Sequence, residues 1–220
     1  MDQLIQYTQT FLNIYGNAGL DTDGLIGPLT TAARNNFIAQ LKIYLSTKQY
    51  EYKSDMILGV RTSDIYTDEF TDWGVIISND IPSAFPMSTK PGSYWLAHPP
   101  TVDGITGTAC ISEGQYVNMW TYSDSGWSGD PYCQQENVCT VYRDNSHLGH
   151  IDRTAPQTTG CYGINFHSWK GDNSTWVYNL SEGCQVMQDS TMSLLSPIFS
   201  KFTGTIDYTI VNDLTINNLA

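Results

Sequence analysis

The texture of the chain changes once, near Tyr50, and that change limits what it can fold into. Before it, apolar residues recur at helical spacing: Leu4, Ile5, Tyr7, Phe11, Leu12 and Tyr15, then Phe37, Ile38, Leu41, Tyr44 and Leu45. Gly16 and Gly19 stop the first helix, and Pro28 suits the first position of the second. After Tyr50 the chain runs as short apolar stretches: WGVIIS, SYWLAH, QYVNMW, VCTVYR, YGINFH and WVYNL. Turn sequences divide them, among them KPG, DSGWSGD, RDN and KGDN. Strands so spaced predict a β-sandwich or a barrel-like sheet. A helix is expected over residues 191–202, and IDYTIVND reads as a closing strand. The expected fold class is α+β, with a small helical module over residues 1–50 followed by a β-rich, sandwich-like domain over 51–220.

Charge narrows the function. The 220 residues carry 22 acidic and 10 basic side chains, a net of −12. Residues 1–50 hold three of each, so the acidity belongs to the β-rich part. Binding to nucleic acid needs clustered Lys and Arg to displace counterions from phosphates, so nucleic acid is not an expected partner. No run approaches the roughly 18 apolar residues of a membrane span, and the polar start MDQLIQYTQT lacks the pattern of a signal peptide. No membrane insertion is expected.

Between the two helices lies GLDTDGLIGPLTTAA. Asp23 and Gly24 suit a tight turn, Gly27 permits an unusual backbone conformation, and Thr30 falls in the first turn after Pro28. A calcium loop is the rival reading of DTDG. It fails because an EF-hand needs Glu at its twelfth position, which counted from Asp21 is Ala32. A helix like LIQYTQTFLNIYG, the turn DGLIGP and a following TTAA helix resemble a peptidoglycan-binding domain of the kind attached to cell-wall hydrolases. That resemblance covers residues 1 to about 48 and implies wall contact through Asp23, Gly24, Gly27, Pro28 and Thr30. The plain alternative is a helical hairpin that only packs on the second domain.

The densest chemical signal is GINFHSWKGDNSTWVYNLSEGCQVM, residues 163–187. A nucleophilic cysteine needs a base within hydrogen-bond reach, a setting that favours thiolate, and backbone donors for an oxyanion. His167 at the end of an expected strand and Cys184 after Ser181, Glu182 and Gly183 can meet through a hairpin-like connection. A histidine upstream of S-E-G-C resembles the signature of the L,D-transpeptidase family. The wider stretch over residues 58–187 is similar to a phage-associated branch of that fold. The resemblance implies Cys184 as nucleophile, His167 as base, Gly183 as part of the oxyanion site and Ser181 as a residue shaping the loop.

One position departs from the family pattern. Where the family carries Arg two residues after the cysteine, this chain has Val186. Arg143 and Arg61 are the candidates to grip a substrate carboxylate in its place. Each has an ordinary alternative, an ion pair with Asp144 or Asp64 respectively. Gln185, Trp169 and Trp176 are expected along the substrate groove, with core packing the alternative for at least one Trp.

The five cysteines are Cys110, Cys133, Cys139, Cys161 and Cys184. Two arrangements stay open: bridges Cys133 to Cys139 and Cys110 to Cys161 with Cys184 free, or all five reduced. A zinc-dependent amidase or peptidase is the metal alternative, resting on His147 and His150 in HLGH. No H-E-x-x-H occurs, so no metal and no cofactor are expected. His98 reads as structural, and Asn173 as a glycosylation acceptor only in a eukaryotic secreted chain.

Together the resemblances imply a phage endolysin: a peptidoglycan stem-peptide hydrolase made in the bacterial cytoplasm and acting at the periplasmic wall. A holin-like export partner or the virion itself would deliver it there. The non-enzymatic alternative is a wall-binding or virion structural protein.

Overall fold

The computed structural model describes residues 2–62, 67–102, 104–126, 129–169 and 173–212. Helix α1 (Gln3–Gly16) begins where the Asp2 carboxylate accepts the amides of Leu4 and Ile5 at 3.0 and 3.2 Å, a normal N-cap. It ends as Asn17 turns left-handed. Helix α2 (Pro28–Thr47) has Pro28 in its first turn, where a missing N–H costs nothing. Strands β1 (Met56–Arg61), β2 (Asp72–Ser78) and β3 (Ile81–Met87) form an antiparallel meander. The short helix α3 (Ser93–Ala97) leads to β4 (Thr101–Val102), β5 (Ile105–Thr106) and β6 (Thr108–Ile111). Then come β7 (Gly114–Ser123), β8 (Tyr132–Gln135), β9 (Cys139–Asp144) and β10 (Gln157–Gly160). The chain finishes with β11 (Phe166–His167), β12 (Gln185–Val186), α4 (Asp189–Phe199) and β13 (Thr205–Asn212).

Eight strands make one sheet in the order β12-β11-β8-β7-β13-β1-β2-β3, and β10-β9-β6 make a second. The two ends of the large sheet almost meet. Just past β3, Ser88 donates to the Val186 carbonyl at 2.8 Å and accepts the Val186 amide at 3.0 Å. The sheet is therefore a nearly closed barrel whose seam lies two residues from Cys184. The fold is mixed α+β with strands dominant.

Strand alternation gives this sheet two buried faces. From β1, Ile57 joins Trp120, Phe166 and Tyr208 inside the barrel, capped by Met192, Leu195 and Phe199 of α4. Met56, Leu58 and Val60 point the other way, onto Phe11, Leu12, Phe37, Leu41 and Leu45 of the helical pair. The helices thus share a core with the sheet, and the Thr8 hydroxyl accepts the Ala84 amide of β3 at 3.0 Å. Near Tyr50 the local structure changes while the packing continues.

Three expected strands differ. SYWLAH contains α3, which packs Leu96 on Cys110 and Ile151. WVYNL is a turn: the Leu180 amide closes on the Val177 carbonyl at 2.7 Å, and the Val177 amide goes to Asp68. Of YGINFH only Phe166 and His167 pair as strand. The expected closing strand is central instead, with β13 lying parallel to β1 and antiparallel to β7. Asp213, the last residue of IDYTIVND, and Asp64, the proposed partner of Arg61, lie outside the described residues.

Candidate active site

Two very short strands bring His167 and Cys184 together. Strands β11 and β12 run parallel with Phe166 opposite Gln185 and His167 opposite Val186. Alternation then puts the side chains of His167 and Cys184 on one face, with Phe166 and Gln185 turned into the barrel. The His167 ring and the Cys184 sulfur line one cleft, and the two groups interact electrostatically. Its Nδ1 lies 3.0 Å from the Ser168 carbonyl oxygen, which can only accept, so Nδ1 carries the proton. The fixed tautomer leaves Nε2 as the basic nitrogen of the ring. Burial works to lower the His167 pKa. The interaction with Cys184, together with the Ser168 carbonyl, outweighs it and holds the value above 6.5.

The loop before Cys184 is held from within. Ser181 is fully buried, and its hydroxyl donates to the Cys184 carbonyl at 2.7 Å and accepts the Gly183 amide at 3.1 Å. The Ser181 carbonyl takes the Gly92 amide at 2.9 Å. Gly183 has φ +146, and a Cβ there would run into the Ala109 carbonyl, so no other residue fits. The sulfur of Cys184 rests 3.3 Å from the Gly163 carbonyl, to which the thiol donates.

The resemblance implies an oxyanion site around Gly183. The Gly183 amide is already spent on Ser181, and the Gln185 amide goes to the Asn165 carbonyl at 2.8 Å. The Cys184 amide has no acceptor among the described residues, which leaves it as the donor of this loop. Gln185 does not line the groove. It is fully buried, takes the Tyr208 hydroxyl at 2.8 Å and donates to the Gly183 carbonyl at 3.3 Å, bracing the loop from behind.

A cleft of about 360 Å³ opens over Cys184 and His167, lined also by Trp95, Tyr132, Trp169 and Glu182. A second opening of about 180 Å³ lies on the other side of Cys184, lined by Arg143 and Tyr162. Trp169 thus borders the site, whereas Trp176 borders separate surface hollows and is 58% exposed, so neither is a core residue. Arg143 forms no ion pair with Asp144, whose carboxylate accepts the amides of Ser146 and Asp152. Arg61 is remote from the cleft: fully buried, it donates to Thr89 and to the Ile111 carbonyl beside the buried Lys90–Asp72 pair at 3.1 Å. Val186 lies in the seam of the barrel. The residue is 1% exposed and its backbone closes the barrel, so an Arg there would be buried.

Gln135 carries no motif, yet it organises the floor of the site. Its Oε1 accepts the Ile164 and Tyr162 amides at 2.7 and 3.1 Å, and its backbone N–H goes to Asn165 Oδ1 at 2.9 Å. Those bonds fix the segment that carries Gly163 and leads into His167.

In the helical pair, Gln9 does the same for the DGLIGP loop. It is 1% exposed, donates to Asp23 and to the Leu25 carbonyl at 2.8 and 3.0 Å, and accepts the Gly24 amide at 2.9 Å. The Gln9 bond, then the Leu25 amide, draws the Asp23 pKa below its ordinary value. Gly24 is left-handed at φ +71, and Gly27 and Pro28 border a hollow with Asp23 and Thr30.

All five thiols are free, with Cys110, Cys133 and Cys139 buried and Cys161 exposed. His147 Nδ1 contacts the Ala97 carbonyl and His98 Nδ1 the Tyr94 carbonyl. Among the described residues no three His, Cys, Asp or Glu side chains converge as metal ligands, and no helix is long and apolar enough to cross a membrane. Compared with models of known protein families and with curated proteins, the chain gives no match.

Proposed function

We propose that the chain is a cysteine peptidase of L,D-transpeptidase-like type that hydrolyses peptidoglycan stem peptides, acting for a phage at the bacterial wall. The observation that carries the chemistry is the His167–Cys184 pair at an open cleft, with the imidazole tautomer fixed by the Ser168 carbonyl. The wall substrate rests on the S-E-G-C and DGLIGP resemblances.

In the reading, Nε2 of His167 takes the thiol proton as the sulfur attacks the acyl carbon. The Cys184 amide stabilises the oxyanion. As the C–N bond breaks, His167 returns the proton to the leaving amine. Water then attacks the thioester, His167 takes its proton, and the C–S bond breaks to restore the thiol. Incubating purified muropeptides with the wild type and with Cys184→Ala tests this by mass spectrometry. A product formed only by the wild type supports it, and equal products with both proteins overturn it.

A second reading is a wall-binding or virion structural protein without turnover. Leu25, Ile26 and Leu29 favour it, being 64%, 57% and 75% exposed around the hollow beside α2. Sedimentation with wall sacculi by both proteins, with no product from either, would select it.

A further inference from the structure

Among the described residues, the aromatic side chains that stand exposed are Trp169, Trp176 and Tyr178, at 44%, 58% and 52%. All three fall between His167 and Cys184 in the chain. The other described aromatics are buried or half-buried. Exposed rings gathered in one place mark a surface that meets a partner.

The backbone under Trp176 and Tyr178 is pinned from several sides. Val177 is fully buried, and its amide goes to the Asp68 carbonyl at 2.8 Å. The Asn179 carbonyl takes the Trp95 indole N–H at 3.0 Å, and the Tyr94 ring meets the Tyr178 ring edge-on at 5.6 Å. Tyr178 holds φ +36, a conformation that a bulky residue keeps only where its surroundings impose it. Rings held this firmly at the surface lose little freedom when a ligand settles on them.

The hollows beside these rings continue the cleft. The cleft over Cys184 shares Asn179 and Leu180 with a hollow of about 370 Å³, which Trp176 and Tyr178 also line. Trp176 is in turn a wall of a further hollow of about 350 Å³. A ligand that follows this path leaves the cleft beside Asn179 and crosses the Trp176 ring.

Chemistry narrows the ligand. Ring faces select a flat apolar surface, and a net charge of −12 with Glu69 at the far hollow works against an anionic one. Nucleic acid and anionic membranes are disfavoured on that count. The exposed Asn179 side-chain amide has no hydrogen bond among the described residues and offers both a donor and an acceptor. A pyranose meets each requirement. The C–H bonds of one sugar face complement the negative face of an aromatic ring, and hydroxyl and acetamido groups at its edge pair with an amide.

We infer that Trp176 and Tyr178 form a glycan subsite, which holds an uncharged strand of β-linked N-acetylated amino sugars while a peptide borne by that strand enters the cleft. The choice of amino sugars rests on the wall reading above: a wall glycan whose carboxylates are tied up in amide bonds to its peptides carries no charge along the strand.

Titration calorimetry of the full chain with the β-linked tetramer of N-acetylglucosamine tests this, beside the monosaccharide, a proline-rich peptide and phosphatidylcholine vesicles. The tetramer should bind at least about tenfold more tightly than the monosaccharide, and Trp176→Ala should weaken it by about tenfold. Trp176→Phe, which keeps a ring face, should recover much of that loss. Thermal unfolding of each variant checks that it is folded, and movement of the Trp176 indole N–H signal in NMR during titration of the wild type reads the contact without a variant. No tetramer binding, or binding that both Trp176→Ala and Tyr178→Ala leave unchanged, would overturn the inference. Tighter binding of the peptide or the vesicles through the same rings would overturn it as well. Cleavage of muropeptides without tetramer binding sinks the glycan subsite and leaves the peptidase reading standing. Tetramer binding through Trp176 without cleavage does the reverse.

Discussion

The Ser181 hydroxyl donates to the Cys184 carbonyl at 2.7 Å while accepting the Gly183 amide at 3.1 Å, so one buried side chain ties together the turn that carries Cys184. Ser181→Ala leaves both backbone groups unsatisfied, at a cost of about 1–3 kcal/mol. Thermal unfolding should show that loss. Peptide cleavage should fall with it, mainly in kcat, because the cleft walls that bind substrate remain. A variant as stable and active as the wild type would remove Ser181 from the account.

The raised His167 pKa has two opposite consequences. Its folded state favours the imidazolium, so its stabilising contribution is full below the unfolded value of about 6.5 and is lost as pH rises through the folded value. Catalysis needs the neutral ring. The acid limb of kcat/KM should therefore lie above about 6.5, and His167→Ala should lose more stability at about pH 5.5 than at about pH 8.5. Denaturation at both values, beside the rate profile, checks the pair.

Thiol reactivity should split the five cysteines. Cys110 and Cys133 are fully buried, and burial pushes both thiols well up; the Cys139 thiol is pushed up to about 12, against a bond from Gln135. Iodoacetamide on the native protein should modify Cys184, at the cleft, and Cys161, which is exposed, and spare the other three. Peptide mapping reads this directly. Activity should follow Cys184 modification alone, which a Cys161→Ser variant would make plain.

Gln9→Leu removes the amide that holds the DGLIGP loop, orphaning the Gly24 amide and leaving the Leu25 carbonyl only the Thr30 hydroxyl. We expect a loss of about 1–3 kcal/mol and faster amide exchange over residues 20–27, with exchange in the β-rich part unchanged. If loop order underlies wall contact, sedimentation with sacculi should weaken in step.

Much of this was legible in the sequence where a local rule decides. Pro28 marks the start of α2, the periodicity from Leu4 to Tyr15 marks α1, and S-E-G-C with an upstream histidine marks the pair that β11 and β12 bring together. Long-range pairing was not legible. SYWLAH and WVYNL are apolar runs too short for periodicity to separate strand from helix or turn. IDYTIVND reads as a strand, but nothing local says that it lies beside β1. Gln135, Gln9 and Gln185 act as buried amides bridging residues distant in the chain, and glutamine alone carries no such signal. The seam at Val186 likewise becomes visible only when Ser88 arrives from the far edge of the sheet.

The central claim is that Cys184 forms a covalent acyl intermediate with His167 as its base. Intact-mass analysis of rapidly quenched protein after mixing with a cleavable stem peptide tests it most directly, with the adduct mapped by digestion. One acyl mass is expected on Cys184 in the wild type, at most a trace in His167→Ala, and none in Cys184→Ala. Turnover of the peptide by Cys184→Ala at the wild-type rate, with no adduct on any cysteine, would contradict it.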